Sequence, residues 1–188
     1  MSVSPLYLKL PATSANLGPG FDTLGLALKL YLEVKAAEAE SFTIHATGRA
    51  SEVCGSLERN LLLDIYQRTL AAQGREIQPL ALEVDNGIPL GMGCGSSAAV
   101  RLAGVALAAH FGQLGWTREQ ILAEATKFEG HPDNAAACWL GGFVAGCWDG
   151  TTVRAMSFAP PAQWRALVVL PEKPLAIPPG PARPALLR

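Results

Sequence analysis

Residues 87–100 read Gly87-Ile-Pro-Leu-Gly-Met-Gly-Cys-Gly-Ser-Ser-Ala-Ala-Val100, and the rest of the chain is organised around them. Glycines alternate at positions 91, 93 and 95, two serines follow, and a run of small apolar residues begins at once. This pattern predicts a loop that leads into the N-terminus of a buried helix. Glycine tolerates close approach of a ligand to the backbone, and the first turn of a helix offers unpaired N–H groups. The stretch therefore predicts a binding site for an anion such as a phosphate.

The loop differs from two common nucleotide-binding motifs. A P-loop requires G-x-x-x-x-G-K-[ST], and no lysine lies in or beside this stretch. The dinucleotide fingerprint G-x-G-x-x-G fails because Ser96 stands where the third glycine is required. A glycine-rich turn before a buried helix, without any ligand, accounts for the same residues. The loop taken alone leaves both interpretations open.

The composition indicates one domain without a strongly charged surface. The chain has 188 residues, of which 49% are hydrophobic, and this is ample for a sizeable core. Fifteen basic and 16 acidic residues give a net charge of −1, so no overall field attracts nucleic acid or an anionic membrane. We therefore expect a small polar or zwitterionic ligand, and neither a nucleic acid nor a membrane as partner.

No segment of the sequence reads as a signal peptide or a membrane span. The start of the chain lacks a basic segment followed by an apolar run, and the longest apolar stretch, residues 98–109, contains Arg101 and is too short to cross a bilayer. The four cysteines show neither C-x-x-C nor zinc-type spacing, which predicts reduced thiols that serve in packing. We expect a cytoplasmic location.

Strands are predicted from alternating and β-branched stretches. They are expected over residues 6–12, 24–37, 41–47, 80–84, 143–148, 151–158 and 165–170. A polar loop is expected to open at Thr13, and residues 41–47 are expected to pair antiparallel with residues 24–37. Asp149-Gly150 is a hairpin signal between two of the later strands.

Helices are predicted mainly from their end signals. Asn60 is a plausible N-cap for a helix over residues 61–73 with Gly74 beyond its end, and Thr117 begins a capping box for a helix to about residue 128. A central, alanine-rich helix is expected to follow the glycine loop, and a short helix is expected to begin at residue 133. Strands and helices mix without a regular βαβ repeat, which favours an α+β two-layer fold with a largely antiparallel sheet.

Three segments together resemble one family. Residues 89–99 resemble the phosphate loop of the GHMP kinases, the superfamily of galactokinase, homoserine kinase, mevalonate kinase and phosphomevalonate kinase. Pro11-Ala-Thr-Ser-Ala-Asn-Leu-Gly-Pro-Gly-Phe-Asp22 and Glu129-Gly-His-Pro-Asp-Asn134 are similar to motifs of the homoserine kinases. The resemblance covers residues 5 to about 170 and implies a ribosomal protein S5-like N-terminal domain, with a left-handed βαβ unit and helices on one face of the sheet.

The resemblance implies phosphoryl transfer from ATP, with Mg²⁺, to the side-chain hydroxyl of L-homoserine, a step toward threonine. It also implies metal ligands at Glu129 and Ser97, or Ser96 in place of Ser97. The implied ATP-binding residues are Pro89, Leu90, Gly91, Met92, Gly93, Cys94, Gly95, Ser96, Ser97, Ala98 and Ala99.

For the substrate, the resemblance implies that Asn16, Asp22 and Asn134 bind homoserine, with the Asp22 carboxylate on the ammonium group. Asp133 and Asn134 are the implied catalytic residues. The matching acid in mevalonate kinases works with a lysine of the first motif, and residues 13–16 contain no lysine. Asp133 is therefore either a general base or a residue that only positions other groups. Taken alone, it could equally favour a helix N-terminus electrostatically.

The last residues do not resemble the family. Residues 171–188 contain six prolines, which predicts neither regular helix nor internal strand. We expect residues 1–170 to be the ATP-binding domain, residues 171–188 to be an unrelated tail, and the C-terminal domain of the family to be missing. Two other functions stay open: another small-molecule kinase, acting on mevalonate or diphosphocytidyl-methylerythritol, and an inactive nucleotide-binding fragment. The oligomeric state is also open, a homodimer included.

Overall fold

A computed structural model describes residues 3–169 of the chain, and these residues contain six strands and five helices. In chain order the elements are β1 (Leu6–Ala15), β2 (Leu24–Glu38), β3 (Thr43–Gly48), α1 (Ser51–Gly55), α2 (Leu61–Ala72), β4 (Leu80–Asn86), α3 (Ser96–Phe111), α4 (Arg118–Glu129), α5 (Asp133–Leu140), β5 (Phe143–Trp148) and β6 (Val153–Phe158).

The long strand β2 is the spine of a single sheet. Strand β1 pairs antiparallel with β2 along one edge, and β5 and β4 share the other edge, at residues 24–26 and 32–38 of β2 respectively. Strands β6 and β3 extend the sheet beyond β5 and β4, and β3–β4 is the one parallel pairing in the part of the chain that is described. The prediction of an α+β fold with a largely antiparallel sheet is confirmed.

Strand β3 does not pair with β2, so the predicted antiparallel pairing of residues 41–47 is wrong. Both edges of the C-terminal half of β2 are taken, one by β1 and the other by β4. Strand β3 therefore joins the outer edge of β4, and α1 and α2 connect these two parallel strands.

Three further predictions are corrected. Strand β1 continues through Thr13 to Ala15, because a register shift between Pro11 and Ala12 lets pairing resume beyond the proline. Strand β6 begins at Val153, since the Asp149 carboxylate accepts hydrogen bonds from the two threonines before it and holds them in the turn. Residues 165–169 are exposed and form no strand, because no described strand pairs with this apolar run.

The helix ends follow the predicted chemistry. The Asn60 side chain accepts hydrogen bonds from the N–H groups of the second and third residues of α2, and Gly74, at a φ of 61°, follows the end of that helix. Thr117 and Gln120 form the capping box of α4. Helix α1 escaped prediction because it has only five residues and no buried stripe.

Helix α3 is the centre of the core. Eleven of its 16 residues are buried, and it packs against α2, α4, α5 and the strands β1 and β2. No helix within residues 3–169 combines the length and apolarity needed to cross a bilayer. All four cysteines are free, and Cys94 and Cys138 are buried, but Cys147 is exposed and so does not serve in packing. The predicted domain boundary at residue 170 and the proline-rich tail lie outside the described residues.

Candidate functional site

The loop before α3 has the open geometry that an anion site requires. Gly91, Gly93 and Gly95 all have left-handed backbone, with φ values of 69°, 71° and 67°. A Cβ atom added at Gly91 or Gly93 would meet no atom within 4 Å. No side chain of residues 3–169 caps the N-terminus of α3, which begins at Ser96 with Gly95 as its N-cap. Neither serine acts as a cap, and the positive end of the helix stays open toward the loop.

Gly95 and Thr13 fix the loop to the rest of the site. A Cβ atom at Gly95 would overlap Thr13 Oγ1 and lie 3.0 Å from Asn134 Oδ1. The fully buried Thr13 donates its N–H to the carbonyl of Cys94 at 3.0 Å and its hydroxyl to Asn134 Oδ1 at 2.7 Å. Thr13 thus joins β1, the glycine loop and α5, a role hidden from sequence reasoning that placed it in a loop.

The base of the loop is held by the buried side chain of Asn86. Its Nδ2 group donates to the carbonyls of Arg49 and Ile88 at 2.9 and 3.0 Å, and its Oδ1 accepts from the Ile88 N–H at 3.0 Å. Gly87 donates its N–H to the Tyr31 carbonyl at 2.8 Å. These bonds anchor the loop to β2 in the gap between the segments that pair with β4 and β5.

The two predicted metal ligands meet at a third residue, Arg101. The Nη1 atom of Arg101 contacts the Ser97 hydroxyl, and the same atom lies 2.5 Å from Glu129 Oε2. The Glu129 side chain is only 10% exposed. Two oxygen atoms that converge on one cationic atom form a donor set that suits Mg²⁺. Ser97 and Glu129 therefore fit the metal that the family implies, and Arg101 is a site residue that sequence analysis treated only as an interruption of an apolar helix.

Asp22, His131 and Asp133 form a second polar cluster, in which one atom from each side chain lies within 4.8 Å of the others. His131 Nδ1 lies 2.5 Å from Asp133 Oδ1, which also accepts the Asn134 N–H at 2.7 Å. The hydrogen bond to Asp133 raises the pKa of His131 above its usual value, against the opposing effect of burial. Asp133 is 1% exposed, and its Oδ2 atom has no hydrogen-bond partner among residues 3–169.

The loop between β1 and β2 presents Asp22 to this cluster. Asn16, Leu17 and Asp22 have left-handed backbone although none of them is glycine. Asn16 Oδ1 accepts the Asp22 N–H at 2.9 Å, and the Asn16 N–H donates to the Leu24 carbonyl at 2.8 Å. The Asn16 amide oxygen therefore holds the loop closed, while Asp22 is exposed beside His131.

The structure thus brings the predicted site residues together in pairs. Thr13 lies between Gly95 and Asn134. Arg101 contacts both Ser97 and Glu129. His131 lies close to both Asp22 and Asp133. Not all residues of the predicted ATP-binding segment face solvent. The buried ones, whose side chains belong to the core, are Pro89, Cys94, Ala98 and Ala99.

An apolar cavity of about 260 Å³ lies beside the first turn of α3. Ser96, Ser97 and Val100 line one side, and Val53 and Cys54 of the unpredicted helix α1 line another. An apolar cavity next to an open helix N-terminus suits a ligand that carries a flat ring and an anionic group.

Comparison with known proteins shows which family the chain is similar to. Residues 60–142 match the family described as the N-terminal domain of GHMP kinases. The homoserine kinase of Solibacter usitatus is 43% identical to this chain over 174 residues, which make up 91% of this chain and 57% of that relative.

Solved structures show the same fold. A Listeria monocytogenes structure provisionally named as a homoserine kinase has a TM-score of 0.72 and 34% identity, over 84% of this chain and 55% of that one. The L. major mevalonate kinase, at 14% identity and a TM-score of 0.61, covers 83% of this chain and 53% of its own length, and is similar in fold alone. The chain spans little more than half the length of each of these proteins.

Proposed function

Because this chain carries a GHMP kinase N-terminal domain, we propose that residues 1–170 are the ATP-binding part of a homoserine kinase. The reaction transfers the γ-phosphoryl group of ATP to the side-chain hydroxyl of L-homoserine and gives O-phospho-L-homoserine, a cytoplasmic step toward threonine. The observation that carries the proposal is the meeting of three separate segments, residues 13–22, 91–97 and 129–134, around the open N-terminus of α3.

The glycine loop and the start of α3 are the proposed triphosphate site. Phosphoryl transfer depends mainly on holding the phosphates in line and on meeting their charge. The exposed backbone at Gly91 and Gly93 leaves room for phosphate oxygens, and the uncapped first turn of α3 supplies N–H donors. The apolar cavity beside Ser96 and Val100 is the proposed place of the adenosine group. Ser97 and Glu129 are the proposed ligands of Mg²⁺, which supplies positive charge to the phosphates when it is bound.

The two asparagines are the proposed donors to homoserine. The Asn134 Oδ1 atom accepts a hydrogen bond from the Thr13 hydroxyl, and the Asn16 Oδ1 atom accepts one from the Asp22 N–H. Each amide therefore turns its NH₂ group, which makes no hydrogen bond within residues 3–169, toward a ligand that accepts, such as a hydroxyl or a carboxylate. Asp22 is the proposed acceptor for the homoserine ammonium group, because its carboxylate is exposed at the same place.

Asp133 has one occupied and one unoccupied carboxylate oxygen. Oδ1 holds His131 and the Asn134 N–H, and this fixes the start of α5. We propose that Asp133 orients the acceptor hydroxyl or takes its proton. Its unpartnered Oδ2 atom is buried, so the side chains around it must move before a ligand reaches that atom. Mevalonate is disfavoured as the acceptor, since the sequence is much closer to a homoserine kinase than to a mevalonate kinase.

A substrate panel tests the proposal. Residues 1–169 are joined to the C-terminal half of the Solibacter usitatus enzyme, and phosphorylation of homoserine, mevalonate and galactose is measured with Mg²⁺ and ATP. Homoserine is the expected substrate. Asp22→Asn is expected to raise the KM for homoserine by about tenfold or more and to leave the KM for ATP nearly unchanged, because the charge-assisted bond to the ammonium group is lost.

Asp64→Asn is the matched control, since it removes a carboxylate that is also exposed but lies on α2 in an ion pair with Arg68. It should leave both KM values unchanged. Phosphorylation of mevalonate in place of homoserine, or an equal effect of the two substitutions, would reject the proposed substrate site.

A further inference from the structure

We infer that the Arg101 guanidinium group occupies the proposed metal position. It must therefore leave Ser97 and Glu129 before a divalent cation binds there. The inference rests on the proposed function for the identity of the two metal ligands, but it concerns the behaviour of Arg101 itself.

The first support is the geometry of the contact. Arg101 lies one helical turn after Ser97 on α3, and its side chain reaches Glu129 at the end of α4. One nitrogen atom, Nη1, contacts both the Ser97 hydroxyl and Glu129 Oε2. The guanidinium group therefore already contacts both oxygen atoms that are the proposed metal ligands.

The second support is the burial of the carboxylate. Glu129 is only 10% exposed, and Arg101 is its single hydrogen-bond partner within residues 3–169. A carboxylate that is largely removed from water needs a partner to remain charged. The Arg101 guanidinium meets this need when no metal is bound. A divalent cation meets it as well, but two cations on the same oxygen atoms would repel each other. Binding at this point is therefore an exchange of one cation for the other.

Titration with Mn²⁺, without nucleotide, tests this exchange directly on the 188-residue chain. The electron paramagnetic resonance signal of free Mn²⁺ gives the bound fraction. Arg101→Gln is expected to tighten Mn²⁺ binding by about tenfold or more, the lower end of what a neighbouring cation does to the proton affinity of a carboxylate. Adding Glu129→Gln to Arg101→Gln should abolish the gain.

Lys127→Gln is the matched control. It removes a positive charge two residues from Glu129, but Lys127 pairs with Glu124 and does not contact Glu129. Its Mn²⁺ affinity should stay within about twofold of the parent, because a solvent-exposed charge is well screened. An Arg101→Gln affinity equal to the parent, or an equal gain for Lys127→Gln, would overturn the inference.

A second measurement covers the case in which Arg101→Gln fails to fold. In the parent labelled with ¹⁵N-arginine, the Nε–H resonance of Arg101, assigned with Arg101→Lys, should shift on addition of Mg²⁺ and should not shift in Glu129→Gln. A resonance that stays in place at Mg²⁺ concentrations that saturate the site would contradict the exchange.

The outcomes separate this inference from the proposed function. Tighter Mn²⁺ binding by Arg101→Gln together with no homoserine phosphorylation by the fused protein would retain the cation exchange and reject the enzyme. Homoserine phosphorylation by the fused protein together with unchanged Mn²⁺ affinity of Arg101→Gln would retain the enzyme and reject the cation exchange.

Discussion

The glycine loop at residues 91–95 and the loop at residues 16–22 reach left-handed backbone with different residue types. The first uses Gly91, Gly93 and Gly95, and it leaves open space at the first two. The second has one left-handed glycine, Gly18, but three of its left-handed residues, Asn16, Leu17 and Asp22, carry side chains, and a hydrogen bond from the Asp22 N–H to Asn16 Oδ1 holds it. Glycine at the left-handed positions of the first loop exposes the backbone there to a ligand. The second loop instead holds the polar residues Asn16 and Asp22 in left-handed backbone. Backbone strain of this kind is common at functional sites.

The largest expected effect separates two glycines of the same loop. Gly95→Ala should lower the free energy of unfolding by about 2 to 5 kcal/mol, because a left-handed alanine is strained and its Cβ overlaps the Thr13 hydroxyl. Gly93→Ala has a similar φ and no neighbour within 4 Å, so it should lose only about 1 to 2 kcal/mol. Urea unfolding of both variants measures the difference. Equal losses would mean that Thr13 moves aside freely and does not anchor the loop.

An intermediate effect is expected in the second loop. Asn16→Ala should lower the free energy of unfolding by about 1 to 2 kcal/mol, since it removes the acceptor for the Asp22 N–H and a residue type that tolerates left-handed backbone. Asn16→Asp keeps an acceptor oxygen and should recover most of this loss. If urea unfolding finds both variants equally destabilised, the hydrogen bond does not support the loop and the contrast between the loops fails.

The smallest expected effect concerns pH. The pKa of His131 is raised by Asp133, so the folded state favours the protonated ring. This stability is fully present below the unfolded pKa of about 6.5 and is lost as the pH rises through the higher folded pKa. The Tm of the parent should therefore fall more steeply than that of His131→Asn as the pH rises above about 6.5. The effect is small because 31% of the His131 side chain is exposed.

His45→Gln is the control for this pH series, since His45 is exposed on β3 and makes no contact with the cluster around Asp133. Its Tm should follow the pH as the parent does. A parallel course for the parent and His131→Asn would show that the His131–Asp133 contact adds no pH-dependent stability.

The features that sequence predicted well depend on neighbours in the chain. The Asn60 cap, the Thr117 capping box and the start of α5 at Asp133 each depend on residues within one helical turn. The resemblance of three motifs also identified Ser97, Glu129, Asp22 and Asp133 before any geometry was known. These residues do meet in the structure, but their assigned roles remain predictions.

The features that sequence missed depend on distant contacts. The pairing of β3 is decided by which edge of β2 is free, and no local pattern in residues 41–47 carries that information. In the sequence, Arg101 is a single charge within an apolar helix. Its contact with Glu129, which lies on another helix, is visible only in the structure. Thr13 lies two residues after Pro11, which predicts the end of a strand, and only the register shift in β1 shows that the strand continues.

The hydrogen bonds at the base of the glycine loop also protect Asn86 from deamidation. Asn86 is followed by Gly87, and an asparagine before glycine deamidates readily when the next backbone nitrogen is free to attack the side-chain amide. Here the Gly87 N–H is bound to the Tyr31 carbonyl, and both ends of the Asn86 amide are hydrogen-bonded in the core. Folding therefore protects the Asn86-Gly87 sequence from deamidation, and we expect deamidation there only when the chain unfolds.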